Sequence, residues 1–295
     1  MVKNTIMKHD MEHNPISGIW AGLKWTSWVS INAYRSEFKT FAKSSGVYRI
    51  KDTKSHYLAY IGQTGRNLRE RLQDLARNIL KDKMPFNDPH TAAPNLWVWR
   101  TVEGIEFEIS VAAASLSRQH LRGLEDSLLW RHRLTTGMST LCNYGKFHEN
   151  YYKSGPCKSG KRGGGLSEDK INAAGGKSTI PLKPLSTPDK NDWMSLRWSD
   201  YGKPKSMVIP DGSGIYRFYH FGLKRVMYVG ESDKLQSRIK NHLNKEWLEN
   251  NVLLSFYHSE DLNLPFHRHE YESDLLGWYY CEYNEPPIKQ YGGSG

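Results

Sequence analysis

Gly46-Val47-Tyr48 followed by Tyr60-Ile61-Gly62, and Gly214-Ile215-Tyr216 followed by Tyr228-Val229-Gly230, are one short frame written twice. In both copies the second tyrosine falls 12 positions after the first, and the frame recurs after 168 residues, the spacing of a domain repeat and not of a solenoid unit. Gln63-Thr64-Gly65-Arg66-Asn67 then leads into Leu68, Leu72, Leu75, Ala76 and Ile79 at helical spacing, with Arg71 among them. In the second copy Glu231-Ser232-Asp233 leads into Leu235, Ile239 and Leu243, with Arg238 among them. Each copy therefore predicts strand, tight turn, strand, helix.

Further on, each copy predicts a second helix with an acid just ahead of an apolar pair: Glu125-Asp126-Ser127-Leu128-Leu129 and Glu272-Ser273-Asp274-Leu275-Leu276. With these, the chain resembles the GIY-YIG nuclease superfamily twice over, across residues 44–147 and 210–292. The order Tyr, Tyr, Arg, Glu, Asn is complete in the first copy as Tyr48, Tyr60, Arg71, Glu125 and Asn143. The resemblance implies an α+β fold of two small domains, each a short antiparallel sheet flanked by helices. It also implies that Glu125 and Glu272 each hold one divalent cation, Mg2+ or Mn2+, and that Arg71 and Arg238 contact the scissile phosphate. Tyr48 or Tyr216 is implied as general base, and Tyr60 or Tyr228 as the group that positions water or phosphate.

The copies depart from the family pattern in opposite places. The first has Asn143 where an amide is expected near the phosphate, but Leu75 four residues after Arg71, where His or Tyr is common. The second has His242 four after Arg238, but Lys289 where Asn is expected, with Asn284 a poorly registered substitute. Arg238 lies 10 residues beyond Tyr228 and Arg71 lies 11 beyond Tyr60, so an extra residue falls in the Gly65-Arg66-Asn67 turn, with Arg69 an alternative.

These residue types suit phosphodiester hydrolysis, which needs an activated water, neutralised phosphoryl oxygens and help for the departing oxygen. A forked guanidinium matches a phosphate. A half-buried carboxylate is costly unless a cation or arginine compensates it. A free phenol has a pKa of about 10, so a phenolate base requires the site to lower it by roughly 3 units.

A length of 295 residues accommodates two domains with their own cores. Residues 1–150 read as the first domain, 151–190 as a Gly/Ser/Pro-rich basic linker, and 191–295 as the second domain. The net charge of +10 is uneven: 21 Lys/Arg against 14 Asp/Glu in 1–150, 8 against 3 in 151–190, and 12 against 14 in 191–295. Excess positive charge in the first domain and linker fits a polyanion, either through linker lysines that follow a phosphate backbone or with the linker as a solvated spacer. Cys142, Cys157 and Cys281 are too scattered for a disulfide framework or a zinc pair. Residues 1–15 carry scattered charge and no apolar signal core, and no run of 18 apolar residues occurs, so a cytoplasmic protein without membrane attachment is expected.

The Trp-containing prefaces Trp25-Thr26-Ser27-Trp28 and Trp193-Met194-Ser195-Leu196-Arg197-Trp198 are expected as core or lid aromatics, with base stacking the alternative. The first domain has an insertion, Asp88-Pro89-His90-Thr91-Ala92-Ala93-Pro94, expected to precede strands at 96–100 and 105–111. His90 is expected to stay out of the site, as loop histidines usually do. The functional expectation is a restriction-like or anti-phage defence endonuclease acting on double-stranded DNA, modified or not, as monomer or homodimer. An asymmetric nuclease with one cutting copy and one sensing copy is the alternative, and a non-catalytic DNA-binding module is a third reading.

Overall fold

A computed structural model describes residues 14–55, 57–245, 247–248 and 251–292. The charged stretch at 1–13 lies outside them. The chain divides into two units, residues up to 121 with 131–177, and residues 122–130 with those from 178 onward. Both are α+β with antiparallel sheets, as expected.

The first unit begins with three short strands, β1 (Ile19–Trp20), β2 (Leu23–Lys24) and β3 (Val29–Ser30). The hairpin β4 (Gly46–Asp52) and β5 (Leu58–Thr64) follows, then helix α1 (Leu68–Ile79), helix α2 (Ala93–Glu103), β6 (Phe107–Ala113) and helix α3 (Arg118–Thr136). The sheet order is β3-β6-β4-β5. Asn67 caps α1 by accepting from the Glu70 N–H, and the predicted stripe Leu68, Leu72, Leu75, Ala76 and Ile79 is buried in the core.

Residues 96–100 were expected as a strand and are helical. Pro94 sits in the first turn of α2, Gly104 closes it with φ 66°, and Leu96 and Val98 are fully buried. End signals of this kind outweigh the β-propensity of Leu-Trp-Val-Trp. The strand expected at 105–111 lies two residues later.

The second unit holds β9 and its partners in the order β10-β9-β11: β9 (Gly214–His220), β10 (Arg225–Ser232) and β11 (Val252–His258), with helix α4 (Leu235–His242) between β10 and β11 and helix α5 (Pro265–Tyr283) after them. Among the described residues it has no counterpart of α2.

The domain boundaries differ from those expected. Residues 122–130 of α3 belong to the second unit because Trp130 is buried in its core and donates from Nε1 to the Leu182 carbonyl at 3.0 Å. The stretch 151–190 is divided between the units. Residues 151–177 form β7 (Tyr151–Tyr152) and β8 (Gly164–Gly165) in the first unit. Residues 178–190 bind the second unit, where the Leu182 N–H donates to Asp274 and the Thr179 N–H to the fully buried Glu270. No helix of the described residues is long and apolar enough to cross a membrane.

Candidate active site

Both hairpins carry the same irregularity. In β4/β5 the register steps from Ile50↔Tyr60 to Lys51↔Leu58, leaving Ala59 as an extra residue; in β9/β10 it steps from Phe218↔Tyr228 to Tyr219↔Val226, leaving Met227. A β-bulge re-aims the side chain beside it, here the second tyrosine. Tyr48 and Tyr60 lie with ring centroids 6.0 Å apart, and Tyr216 and Tyr228 also 6.0 Å apart. Gly62 and Gly230 permit this: a Cβ would stand 2.6 Å from the Tyr48 Oη and 2.5 Å from the Tyr216 Oη.

The segment that closes each unit is bound to the bulge. Cys142 N–H donates to the Ala59 carbonyl at 2.8 Å, and Lys289 N–H to the Met227 carbonyl at 2.7 Å. One residue further, Asn143 accepts from Ile61 N–H at 2.9 Å and donates to Ile61 O at 2.8 Å, while Gln290 does the same with Val229 at 3.1 and 3.1 Å. Gln290 is therefore the counterpart of Asn143, and Lys289, expected there, is the counterpart of Cys142. Both amides hold the backbone of the edge strand next to the second tyrosine. Sequence reasoning missed Gln290 because it sought the letter Asn, although the amide chemistry was present one position on.

In the second unit, Tyr216, Arg238 and His242 form one network. The Tyr216 Oη lies 2.9 Å from His242 Nε2 and accepts from Arg238 Nε at 3.2 Å. A guanidinium only donates, so the phenol oxygen accepts from Arg238; toward His242 it donates when Nε2 is bare and accepts when Nε2 carries the proton, and the buried Nδ1 has no partner among the described residues. Burial, reinforced by Arg238, holds the His242 pKa down to about 4. Burial and the neighbouring Tyr228 raise the Tyr216 pKa, opposed by Arg238. Tyr228 is raised as well, by burial and then by Glu272. Both directions are opposite to the lowering that a resident phenolate requires, because the apolar wall of Phe218 and Trp247 around this cluster excludes water.

Glu272 on α5 is half-buried. Its pKa is pushed up to about 8 by burial, then by Glu231 and Asp126, against the attraction of Arg238. Glu231, just after Tyr228-Val229-Gly230, is held by Arg268 at 2.6 Å. Asp126, whose own pKa burial raises to about 6, accepts from Ser273 at 2.8 Å and from the Tyr291 hydroxyl. Tyr216, Tyr228, Arg238, His242 and Glu272 thus share one electrostatic neighbourhood.

The first unit is arranged differently. Arg71 and Arg238 are each the fourth residue of their helix, so the extra residue does lie in the turn; Arg69 is committed to the Lys39 and Phe41 carbonyls. Arg71 donates from Nη1 to the Pro89 carbonyl at 3.0 Å, and its buried Nε has no partner. Leu75, at the His242 position, is core. His90, expected to stay away, is 2% exposed with both ring nitrogens unpartnered, and burial, then Arg71, lowers its pKa to about 4. Glu125 is half-buried on the α3 segment that belongs to the second unit.

Behind each first tyrosine lies a buried arginine in an aromatic box. Arg49 sits 4.2 Å from the Trp25 ring, 4.7 Å from Trp28 and 5.9 Å from Trp20; Arg217 sits 4.2 Å from Trp198, 4.7 Å from Tyr201 and 5.3 Å from Trp193. Arg217 donates to the Lys190 carbonyl and Arg49 to the Pro15 and Ser17 carbonyls. Trp25, Trp193 and Trp198 are buried, as expected, while Trp28 is half-buried. Their pairing differs from the expected one: Trp20 and Trp25 match Trp193 and Trp198.

Among the described residues no group of three or more His, Cys, Asp or Glu side chains could hold a metal. A cation at this site would rest on one carboxylate, Glu272, with waters and substrate oxygens completing its shell, which is the usual manner of Mg2+. A carboxyl whose proton is retained to about pH 8 by burial, Glu231 and Asp126, with only Arg238 opposing, fits such a role. Comparison with protein-family models, curated proteins and solved structures finds no match.

Proposed function

We propose that the chain is a metal-dependent endonuclease of the GIY-YIG type that hydrolyses phosphodiester bonds of double-stranded DNA. The observation that carries this reading is the hydrogen-bonded Tyr216–Arg238–His242 network beside the raised carboxyl of Glu272. Arg238 binds a phosphoryl oxygen while Tyr216 orients the attacking water. As the water oxygen bonds to phosphorus and the bond to the departing oxygen breaks, Tyr216 takes the water proton while passing its own to His242 Nε2, which with a pKa near 4 does not keep it, and the proton goes on through solvent to the departing oxygen. This route leaves no standing phenolate, in keeping with the raised Tyr216 pKa. Glu272 would hold a divalent cation, which when bound would supply charge neutralisation at the phosphate.

The asymmetric reading has specific support. Arg71 is engaged by the Pro89 carbonyl and Leu75 replaces the imidazole, so the second site, despite its unit's lower positive charge, is the better candidate for chemistry. Supercoiled plasmid incubated with Mg2+ or Mn2+ tests both readings. Glu272→Ala is expected to abolish cutting, whereas Glu125→Ala is expected to retain nicking; no cleavage by the parent protein under either metal rejects the nuclease. Parallel digestion of modified and unmodified phage DNAs tests the restriction or defence role.

A further inference from the structure

The nuclease reading leaves open how a duplex is gripped, and one element has the required chemistry. Residues 151–165 form a β-finger, with Tyr151 paired to Gly165 and Tyr152 to Gly164. Between Tyr151 and Ser167 the sequence holds Lys153, Lys158, Lys161 and Arg162 and no acid. Lys158 and Lys161 are exposed at the tip, and no carboxylate pairs with either among the described residues.

The finger is anchored despite its small apolar content. Gly163 N–H donates to Ser154 Oγ at 2.8 Å, Gly155 N–H to Lys161 O at 3.0 Å and Leu166 N–H to Asn150 O at 2.8 Å. A Cβ on Gly163 would stand 2.3 Å from the Tyr152 carbonyl. Its outer side is fixed to the insertion ahead of α2. Cys157 N–H donates to Asp88 at 2.6 Å, Asn87 N–H to Gly155 O at 3.2 Å, and the Arg162 guanidinium lies 4.4 Å from the Phe86 ring and donates to the Met84 carbonyl. The same insertion supplies Pro89, whose carbonyl holds Arg71. Lys158 and Lys161 are thus carried on a segment hydrogen-bonded to residues 84–88, and Pro89 next to them holds the arginine of the first unit.

We infer that the 151–165 finger is a nucleic-acid grip, binding the phosphate backbone of duplex DNA through Lys158 and Lys161 and docking it beside the first unit's Arg71. The inference rests on the nuclease reading for its partner but not for its test. Backbone contacts release counterions, so each lost contact lowers the slope of log affinity against log salt by about 0.9. Tyr152 is the one large hydrophobic exposed on the finger, too little apolar surface to insert into lipid, which favours nucleic acid over an anionic membrane.

The experiment is fluorescence anisotropy of the full chain with a 20-base-pair duplex across a salt series in EDTA, where no cutting occurs. The double variant Lys158→Ala/Lys161→Ala is expected to weaken binding several-fold at low salt and to lower the slope by about 1.8. Lys203→Ala/Lys205→Ala, two exposed lysines removed from the second unit, is expected to leave the slope unchanged. An unchanged slope in the finger variant, an equal loss in both variants, or no binding by the parent chain overturns the grip. So does stronger finger-dependent binding to phosphatidylserine vesicles than to the duplex. A chain that binds DNA through the finger but never cuts it would reject the nuclease alone.

Discussion

Gln290 and Val229 exchange two hydrogen bonds, each 3.1 Å long, that reproduce those between Asn143 and Ile61. The backbone groups they satisfy lie on an edge strand with no further strand to pair with. Gln290→Ala leaves the buried Val229 N–H unpaired and is expected to cost about 1–3 kcal/mol of unfolding free energy in urea titration. Gln290→Asn, too short to span the same gap, is expected to recover less than half. A phosphate-binding amide predicts the reverse: a weaker DNA affinity with stability unchanged.

Gly230→Ala places a methyl against the Tyr216 phenol. It is expected to destabilise by about 1–3 kcal/mol and to disable the second site, because the phenol must leave Arg238 and His242. Ser232→Ala, on the same strand, serves as the comparison; equal cleavage rates for the two variants contradict the tight-approach account.

The pH profile separates two sources of a rising limb. His242, with a pKa held near 4, stays neutral from about pH 6 upward and contributes none there. Glu272 must shed its proton, near pH 8, to receive a cation. Cleavage at low Mg2+ is therefore expected to rise toward pH 8 and to lose that limb at saturating Mg2+. A limb that stays fixed at all metal concentrations contradicts the Glu272 account. Independently of activity, metal binding at pH 7 is expected to release about one proton, read by calorimetry in buffers of different ionisation enthalpy.

Glu272 also affects stability in a defined direction. Its folded pKa is raised above 4.5, so its contribution is fully favourable below pH 4.5 and is lost as the pH climbs through 8. Glu272→Gln is expected to stabilise the metal-free protein at pH 9 by on the order of 2 kcal/mol, discounting for partial exposure, and to have little effect at pH 4. Equal Tm shifts at both pH values contradict this.

Arg217 carries a buried charge with no salt bridge among the described residues; it is held by three aromatic faces and the Lys190 carbonyl, with Asp189 and Asp192 attracting it from further away. Arg217→Ala is expected to lose about 3 kcal/mol by leaving a cavity among Trp193, Trp198 and Tyr201. Arg217→Met fills the space without the charge and is expected to lose distinctly less. Thermal denaturation of the pair decides between packing and cation–π attraction as the main term.

The tyrosines, glycines, arginines and α1 were legible because each is fixed by local spacing. Gly62 and Gly230 are dictated by a neighbour two residues away on their own strand and one across the hairpin. Gln290 was not legible, since its partner Val229 is 61 residues distant and the backbone, indifferent to Asn or Gln, selects only for an amide within reach. The role of Trp20 was hidden for a similar reason: what matches it to Trp193 is a shared arginine, not a shared flanking sequence. Residues 151–177 read as a spacer because hydrophobicity was the signal sought, whereas backbone hydrogen bonds and glycine contacts hold them in place.

The supernumerary residues Ala59 and Met227 make the hairpins unequal in their tolerance of length change. On the loop side of the bulge, an added residue lengthens a solvent-facing connection and leaves everything downstream in phase. Between the bulge and the glycine, one added residue shifts the side-chain alternation, carrying the phenol of Tyr60 or Tyr228 to the sheet face where the fully buried Ile61 or Val229 now packs. A drifting copy of this repeat can therefore acquire new loops freely, but a single codon gained in that two-residue window silences it.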